Sequence, residues 1–446
     1  MDNRCGTIVN VGSVSGYATT PWVGFYASSK AALHMLTDAM RMELAPFNVQ
    51  VVLLAPGGIR SNLHANGKAT LCENTRYGMA RDQVDKRAEF SQTGNATPAT
   101  QFASVVVPKL LSRNPPAYLT YGNHSTLMYL LYYMPWWVRD YFTGKQFGTR
   151  KMAREVAGSN GGGGDLLCNM NKIALITGCS DGGIGHSLAL ELSSRGFRVY
   201  ATALRMNEFS SDLLEKNVTP LVLDITKPDS IKKAVQKVLD EAKHIDILIN
   251  NAGIGCIGPA VELDADLFKS VLATNVVGTV SMCQAVAPSM MDRNQGTIVN
   301  VGSITGFLST PWSAQYTASK AAIHAFSDAM RVELAPFNVN VVVLAPGGIV
   351  SNLAATIDPS LAPWSRYKSV EPEIVERARL SDPGKAMPAD EFAKAVVPRI
   401  LAEKPSAYIS YGRSTMLVLI LSYFPTWVKD LVLSRMFGTN KVDRQS

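Results

Sequence analysis

The chain is 446 residues long, 47% hydrophobic and 18% charged. That balance excludes a disordered polymer and provides length for two or three domains with a sizeable core. The net charge of +7 is spread along the chain rather than clustered. Nucleic acid is therefore a poor expectation, and an anionic cofactor, an anionic substrate or a membrane surface a better one. Cysteines at 5, 72, 168, 179, 256 and 283 form no CxxC pair and no metal-ligand spacing. They read as free thiols of a reducing compartment. The opening MDNRCGTIVN lacks the basic-then-apolar profile of a secretory leader, so the chain is expected to start in the cytosol.

In chain order, the first feature is a repeat. Residues 1–156 align without a gap with 291–446: MDNRCGTIVNVGS answers MDRNQGTIVNVGS, and AMRMELAPFNVQVVLLAPGGI answers AMRVELAPFNVNVVVLAPGGI. Over the first sixty or so positions the copies are about two-thirds identical, which marks a duplicated domain rather than a solenoid. The first copy lacks everything that precedes Asp292 in the second. Residues 157–170, with four consecutive glycines, read as a flexible tether. The expected division is thus a truncated copy at 1–156, a linker at 157–170 and a complete domain at 171–446.

The complete copy alternates strand and helix. Strands are expected at Lys172–Thr177, Phe197–Ala203, Pro220–Leu223, Asp246–Asn250, 297–301 and Val339–Leu344. Helices are expected at Ser187–Arg195, Ile231–Ala242, Leu267–Met291 and Ala314–Leu334. The pattern predicts an α/β fold, a doubly wound parallel sheet of the Rossmann type, preceded by a partial copy without its nucleotide-binding strands.

Two stretches carry chemistry. Thr177–Gly185, TGCSDGGIG, joins the first strand to the first helix. Gly178, Gly182, Gly183 and Gly185 lack a Cβ, so backbone N–H groups there can approach a pyrophosphate at the helix N-terminus. The second strand ends in ATALR with no carboxylate for a ribose 2′-hydroxyl, and Arg205 tilts the reading towards the 2′-phosphate of NADPH. Gly302–Lys320 places Ser303 at a strand end, with Tyr316 and Lys320 one turn apart on the next helix. A free phenol has a pKa of about 10, so proton transfer near pH 7 asks for a change worth about 4 kcal/mol. An ammonium at about 4 Å in a poorly solvated cleft can supply it.

The glycine turn, Asp224 in LDI, Asn250–Gly253 (NNAG), Asn275 in ATNVVG, Ser303, Tyr316-x-x-x-Lys320 and Pro346-Gly347 with Ser351 stand in an order and spacing that resemble the short-chain dehydrogenase/reductase family. The resemblance implies that Tyr316 gives its proton to a carbonyl, Lys320 lowers the tyrosine pKa and holds the nicotinamide ribose, Ser303 bonds the substrate oxygen, and Asn275 anchors a water relay. It also implies that Gly178, Ser180, Gly183, Ile184 and Gly185 meet the pyrophosphate, and that Asp224 and Ile225 meet the adenine. Asn251, Ala252 and Gly253 would line the cleft, with Pro346, Gly347, Ile349 and Ser351 beside the nicotinamide. The chain departs from the family pattern in a turn one residue longer and in Ser351, where Thr is commoner. Within the family, residues 385–394 and the ending YFPTWVKDLVLSRMFG are similar to the branch that reduces the ketone of 1-acyl-dihydroxyacetone phosphate to lysophosphatidate.

Thr415–Phe424, TMLVLILSYF, is too short to span a bilayer. With Trp427, Lys429 and Arg435 it reads as an interfacial anchor, a lid on an apolar cleft, or core. Residues 127–142 repeat the feature with more aromatics. Arg366 and Lys368 are candidates for a substrate phosphate. The first copy keeps Ser13, Tyr26, Lys30 and Ser61 but no glycine turn, so it is expected not to catalyse alone. The resemblance implies pairing through the helices flanking the Tyr/Lys segment, as an internal pseudo-dimer with the complete copy or as a dimer of chains. The function expected is NADPH-dependent ketone reduction on a lipid at the cytosolic face of the endoplasmic reticulum or of lipid droplets, otherwise in the cytoplasm. The alternatives are a steroid or retinoid dehydrogenase, and a non-catalytic protein of the lipid surface. Tyr316→Phe separates the last from the others.

Overall fold

A computed structural model describes residues 6–63, 71, 75–89, 96–159, 172–353 and 357–443. The expected tether lies almost wholly outside these residues, as do Cys5, Cys72 and Cys168.

Among the described residues, ten strands build two parallel sheets. The first copy contributes β1 (Gly6–Val11), β2 (Val49–Pro56) and β3 (Tyr118–Tyr121). The second contributes β4 (Ile173–Ile176), β5 (Arg198–Ala203), β6 (Val218–Val222), β7 (Ile247–Asn250), β8 (Gly296–Val301), β9 (Val339–Pro346) and β10 (Tyr408–Tyr411). The larger sheet runs β10-β9-β8-β7-β4-β5-β6 and the smaller β1-β2-β3. Every residue of β4 and β7 is buried, because helices cover both faces of a parallel sheet. Between these strands the winding reverses, which opens the crevice where such sheets take ligands. One face of the sheet packs Leu175, Leu248 and Ile298 under the helices of 228–292, and the other packs Ile176, Val299 and Leu344 against Leu188, Phe392 and Val396. The run Ala265–Asp292 is long and apolar enough to cross a membrane by length and composition, but half of its most apolar stretch is buried in this core.

The expected elements are present with shifted ends. The helix expected from Ser187 starts at Ile184, because Gly183 already serves as its cap. The long helix Ala314–Leu334 ends where Pro336 cannot continue it, and Asn338, at φ 54°, reverses the chain into β9. β10 was not foreseen: four residues at a sheet edge carry no alternation long enough to read.

The partial copy folds against the complete one. Its helix Gly24–Leu44 lies along Ala314–Leu334, where the small residues Ala31, Ala321 and Ala325 allow close approach. The contact has pseudo-twofold symmetry, as isologous interfaces do. Arg41 grips Asp430 with bonds of 2.7 and 2.9 Å, and its repeat counterpart Arg331 grips Asp140 with the same two lengths. Glu43 accepts from the Trp312 N–H at 2.8 Å, and Glu333 from the Trp22 N–H at 2.7 Å. The truncation leaves its mark on β1, whose outer edge has no strand beside it among the described residues. Val11 there is 53% exposed, and its counterpart Val301 7%.

Candidate active site

The glycine turn is shaped by contacts only small residues permit. Gly178 (φ 72°) and Gly182 (φ 69°) adopt left-handed backbone. A Cβ on Gly185 would collide with the Gly178 carbonyl oxygen and lie 2.5 Å from Asn251 Nδ2. That amide donates to the carbonyls of Thr177 and Gly178, at 3.0 and 2.7 Å, while Thr177 Oγ1 accepts the N–H groups of Asn251 and Ala252. The turn and the end of β7 are therefore one hydrogen-bonded unit. Gly185→Ala is expected to force them apart at a cost of about 1–3 kcal/mol, read as a lowered melting temperature together with lost nucleotide binding.

At the far end, Ser303 follows β8, and its Oγ accepts from the N–H and hydroxyl of Thr305 at 3.2 and 3.0 Å. The His324 ring, held neutral because burial lowers its pKa to about 4, receives the Ser303 N–H. Lys320 is buried with Nζ donating to the Val301 carbonyl at 2.9 Å and lying 5.6 Å from the centre of the Tyr316 ring. Asn275 sits in a π-helical turn, Ala273–Gly278, of the sort that often marks working sites. Its side chain clamps the Ile254 N–H and carbonyl (2.8 and 2.9 Å) and bonds Ser319.

Burial pushes the Tyr316 phenol up to about 12, with Ser303 and Arg377 pulling the other way. Burial lowers Lys320 to about 8. The sequence reading made Lys320 the source of the phenol's acidity. The structure adds Ser303, by hydrogen bonding, and the Arg377 guanidinium as groups that lower it.

These groups open on one cavity of about 1430 Å³. Gly178, Ser180, Gly183, Ile184, Asp224, Ile225, Asn251, Ala252 and Gly253 line one end, and Ser303, Tyr316, Lys320, Pro346, Gly347, Ile349 and Ser351 its middle. Gly185 and Asn275 stand behind this wall rather than in it. Past Tyr316 the cavity turns apolar, between Leu308, Leu417, Leu421, Leu433 and Met436. The C-terminal helices Thr415–Ser422 and Thr426–Met436 thus act as the lid that was one of three readings of this segment.

The model described as short chain dehydrogenase matches residues 1–71 and 172–362. The chain belongs to that family. The NADPH-dependent 1-acyldihydroxyacetone phosphate reductase of Saccharomyces cerevisiae is 30% identical over 286 residues, covering 63% of this chain and 95% of the yeast protein. The protein of the same name from Schizosaccharomyces pombe is 36% identical over 236 residues, 52% of this chain and 78% of that one. A solved short-chain dehydrogenase from Streptomyces avermitilis superposes with a TM-score of 0.51 at 26% identity, covering 63% of this chain and 99% of its own.

Three expectations for this short-chain dehydrogenase are corrected. Arg205 is exposed and outside the cavity wall; the charged side chains at that end are Asp224 and Glu208, and the Glu208 carboxylate takes the Ser180 hydroxyl at 2.9 Å. A carboxylate is therefore present where the sequence showed none, because a short turn at Met206–Glu208 folds it back. Arg366 and Lys368 also lie outside the cavity wall, Lys368 being paired with Glu371 at 2.7 Å. Lys429, expected as a flanking cation, is partly buried and faces Asp38 and Asp430, whereas Arg435 is exposed. Sequence reasoning missed Glu208, His324 and Arg377, single residues without a motif around them.

Proposed function

We propose that the chain reduces the ketone of a lipophilic substrate with NADPH, the substrate being 1-acyl-dihydroxyacetone phosphate and the product lysophosphatidate. One observation carries the reading: Ser303, Tyr316 and Lys320 stand where a nucleotide-sized cleft meets an apolar vault of the C-terminal helices. The cleft suits a dinucleotide, since the Gly185 cradle leaves no room for a Cβ and Asp224 and Asn251 stand at its wall. Gly178, Gly183 and Ile184 would hold its pyrophosphate, and Asp224 its adenine end. When bound, the nicotinamide supplies the hydride. Ser303 Oγ–H orients the carbonyl oxygen, Tyr316 delivers the proton to that oxygen, and the Lys320 ammonium stabilises the phenolate left behind. The preference for NADPH over NADH is supported by the relatives' names, not by Glu208.

The surface around the vault supports action on a lipid. Tyr423 and Trp427 are 66% and 69% exposed, and the first copy presents Trp137 at 61%. Tyr132 and Tyr423 lie close enough to interact, so the two apolar hairpins sit side by side. We read this as the face that rests on the cytosolic side of endoplasmic reticulum or lipid-droplet membranes. NADPH oxidation is expected with 1-acyl-dihydroxyacetone phosphate presented in vesicles, with the protein sedimenting with them. Turnover of steroid or retinoid ketones alone would move the assignment to that class.

A further inference from the structure

Among the described residues the cations of the cavity wall are Lys320, Arg377, Lys385 and Arg413, and only Arg377 has an enclosed nitrogen without a partner. Arg377, on the helix Glu371–Ala378, lines the cavity beside Tyr316. Its Nη2 donates to Thr310 Oγ1 and Ser313 Oγ, both at 3.2 Å, and Phe437 lies 5.5 Å beneath the guanidinium carbon. Its Nε is enclosed and has no partner, and no carboxylate lies within ion-pair distance among the described residues. The other cations of the wall are engaged: Lys385 with Glu376 at 2.7 Å, Arg413 with the carbonyls of Gly384 and Lys385, and Lys320 with Val301. A desolvated guanidinium without a counter-ion is unfavourable unless an anion arrives to share its site, and a guanidinium fork matches phosphate oxygens in pairs. Burial lowers the Arg377 pKa to about 10, as expected of a cation that lacks its anion.

We propose that Arg377 is the substrate's anion receptor, holding a phosphate monoester carried on the carbon next to the ketone that Tyr316 protonates. The inference deepens the reading given above and rests on it. Arg377 and Tyr316 line the same cavity, and Arg377 holds Ser313, the cap of the helix that carries Tyr316, so an anion seated on it lies near the reacting carbonyl. The first copy carries an arginine at the same place, also lowered to about 10 by burial. That counterpart, Arg87, bonds Thr20 at 3.2 Å and stacks on Phe147 at 5.4 Å, bracing the segment before its own helix. The test must therefore separate receptor from brace.

Arg377→Met and Arg377→Lys are to be compared with the parent on 1-acyl-dihydroxyacetone phosphate and on its dephosphorylated acyl ketone. A receptor role predicts that Arg377→Met raises KM for the phosphate substrate about 10- to 100-fold more than KM for the neutral ketone, with Arg377→Lys intermediate, while any loss of kcat through the phenol falls on both substrates alike. Independently of turnover, glycerol 3-phosphate added to the protein saturated with NADP should raise the melting temperature of the parent and not of Arg377→Met. Equal rises in KM on both substrates, or an equal thermal response in parent and variant, overturn the proposal. If the parent reduces neither ketone yet still responds to glycerol 3-phosphate through Arg377, the anion site stands and the assigned reaction falls.

Discussion

Replacing Tyr316 by Phe is expected to lower turnover about 10²- to 10⁴-fold while nucleotide affinity changes little, because the variant keeps the ring and loses the proton. Among the described residues, no other phenol shares the cavity wall with Ser303 and Lys320. Burial holds the Tyr316 phenol protonated through the neutral range, so the acid is loaded before substrate arrives. What changes with pH is Lys320. Its folded-state pKa of about 8 lies below its ordinary value, so its charge is complete well below 8 and disappears as pH rises through 8. The free-enzyme profile, kcat/KM for ketone reduction, should be flat in mildly acidic solution and fall above about pH 8. A profile that rises through this range would show that the ammonium does not serve the phenolate. A Phe variant with near-normal turnover would show that Tyr316 is not the proton donor, whereas cellular function that survives the change intact would return the protein to the class of lipid-surface binders.

The fold was legible wherever periodicity and punctuation coincide. β4 and β7 are continuous apolar runs with glycine or asparagine at their ends, and Ala314–Leu334 runs unbroken to Pro336. The placing of Tyr316 and Lys320 was legible because helix spacing alone puts them on one face. What could not be read depends on the third dimension. Arg205 is next to the strand in sequence and yet exposed, while Glu208 is folded back by a short turn. Arg377 sits in a polar stretch, VERARL, with no pattern to single it out; only the packing of its helix against Thr310 and Ser313 turns it towards the cavity. Lys320 stands 5.6 Å from the centre of the Tyr316 ring, but the bond of its Nζ to the Val301 carbonyl was not legible. Distance along a helix does not fix the direction of a long side chain.

Deleting the Glu43 carboxylate should disturb catalysis in the other half of the chain, and the repeat provides its own control. Glu43 belongs to the copy without a nucleotide cleft, yet its two oxygens accept the N–H groups of Trp312 (2.8 Å) and Ala260 (2.7 Å). Trp312 is wholly buried with φ 66°, an unusual backbone for a bulky residue, and it immediately precedes the cap of the helix that carries Tyr316. Leu44, Phe47 and Val51 of the first copy pack in the same cluster as Trp312, Tyr367 and the cavity residue Ile257. The truncated copy therefore serves as a wall against which the active half sets its catalytic helix. Glu43→Ala leaves two buried donors without an acceptor, a loss of about 1–3 kcal/mol each. It frees Trp312 to relax, and displacements of about 1 Å at a reacting group can lower kcat/KM about 100-fold. Glu333→Ala is the symmetric change: it releases Trp22 in the copy that has no strands to bind a nucleotide. Its expected result is a lower melting temperature with kcat/KM close to the parent's. Equal kinetic losses in the two variants would mean that the first copy contributes stability alone. A loss confined to Glu43→Ala would show that a fragment unable to hold a nucleotide still shapes the site in which its neighbour uses one.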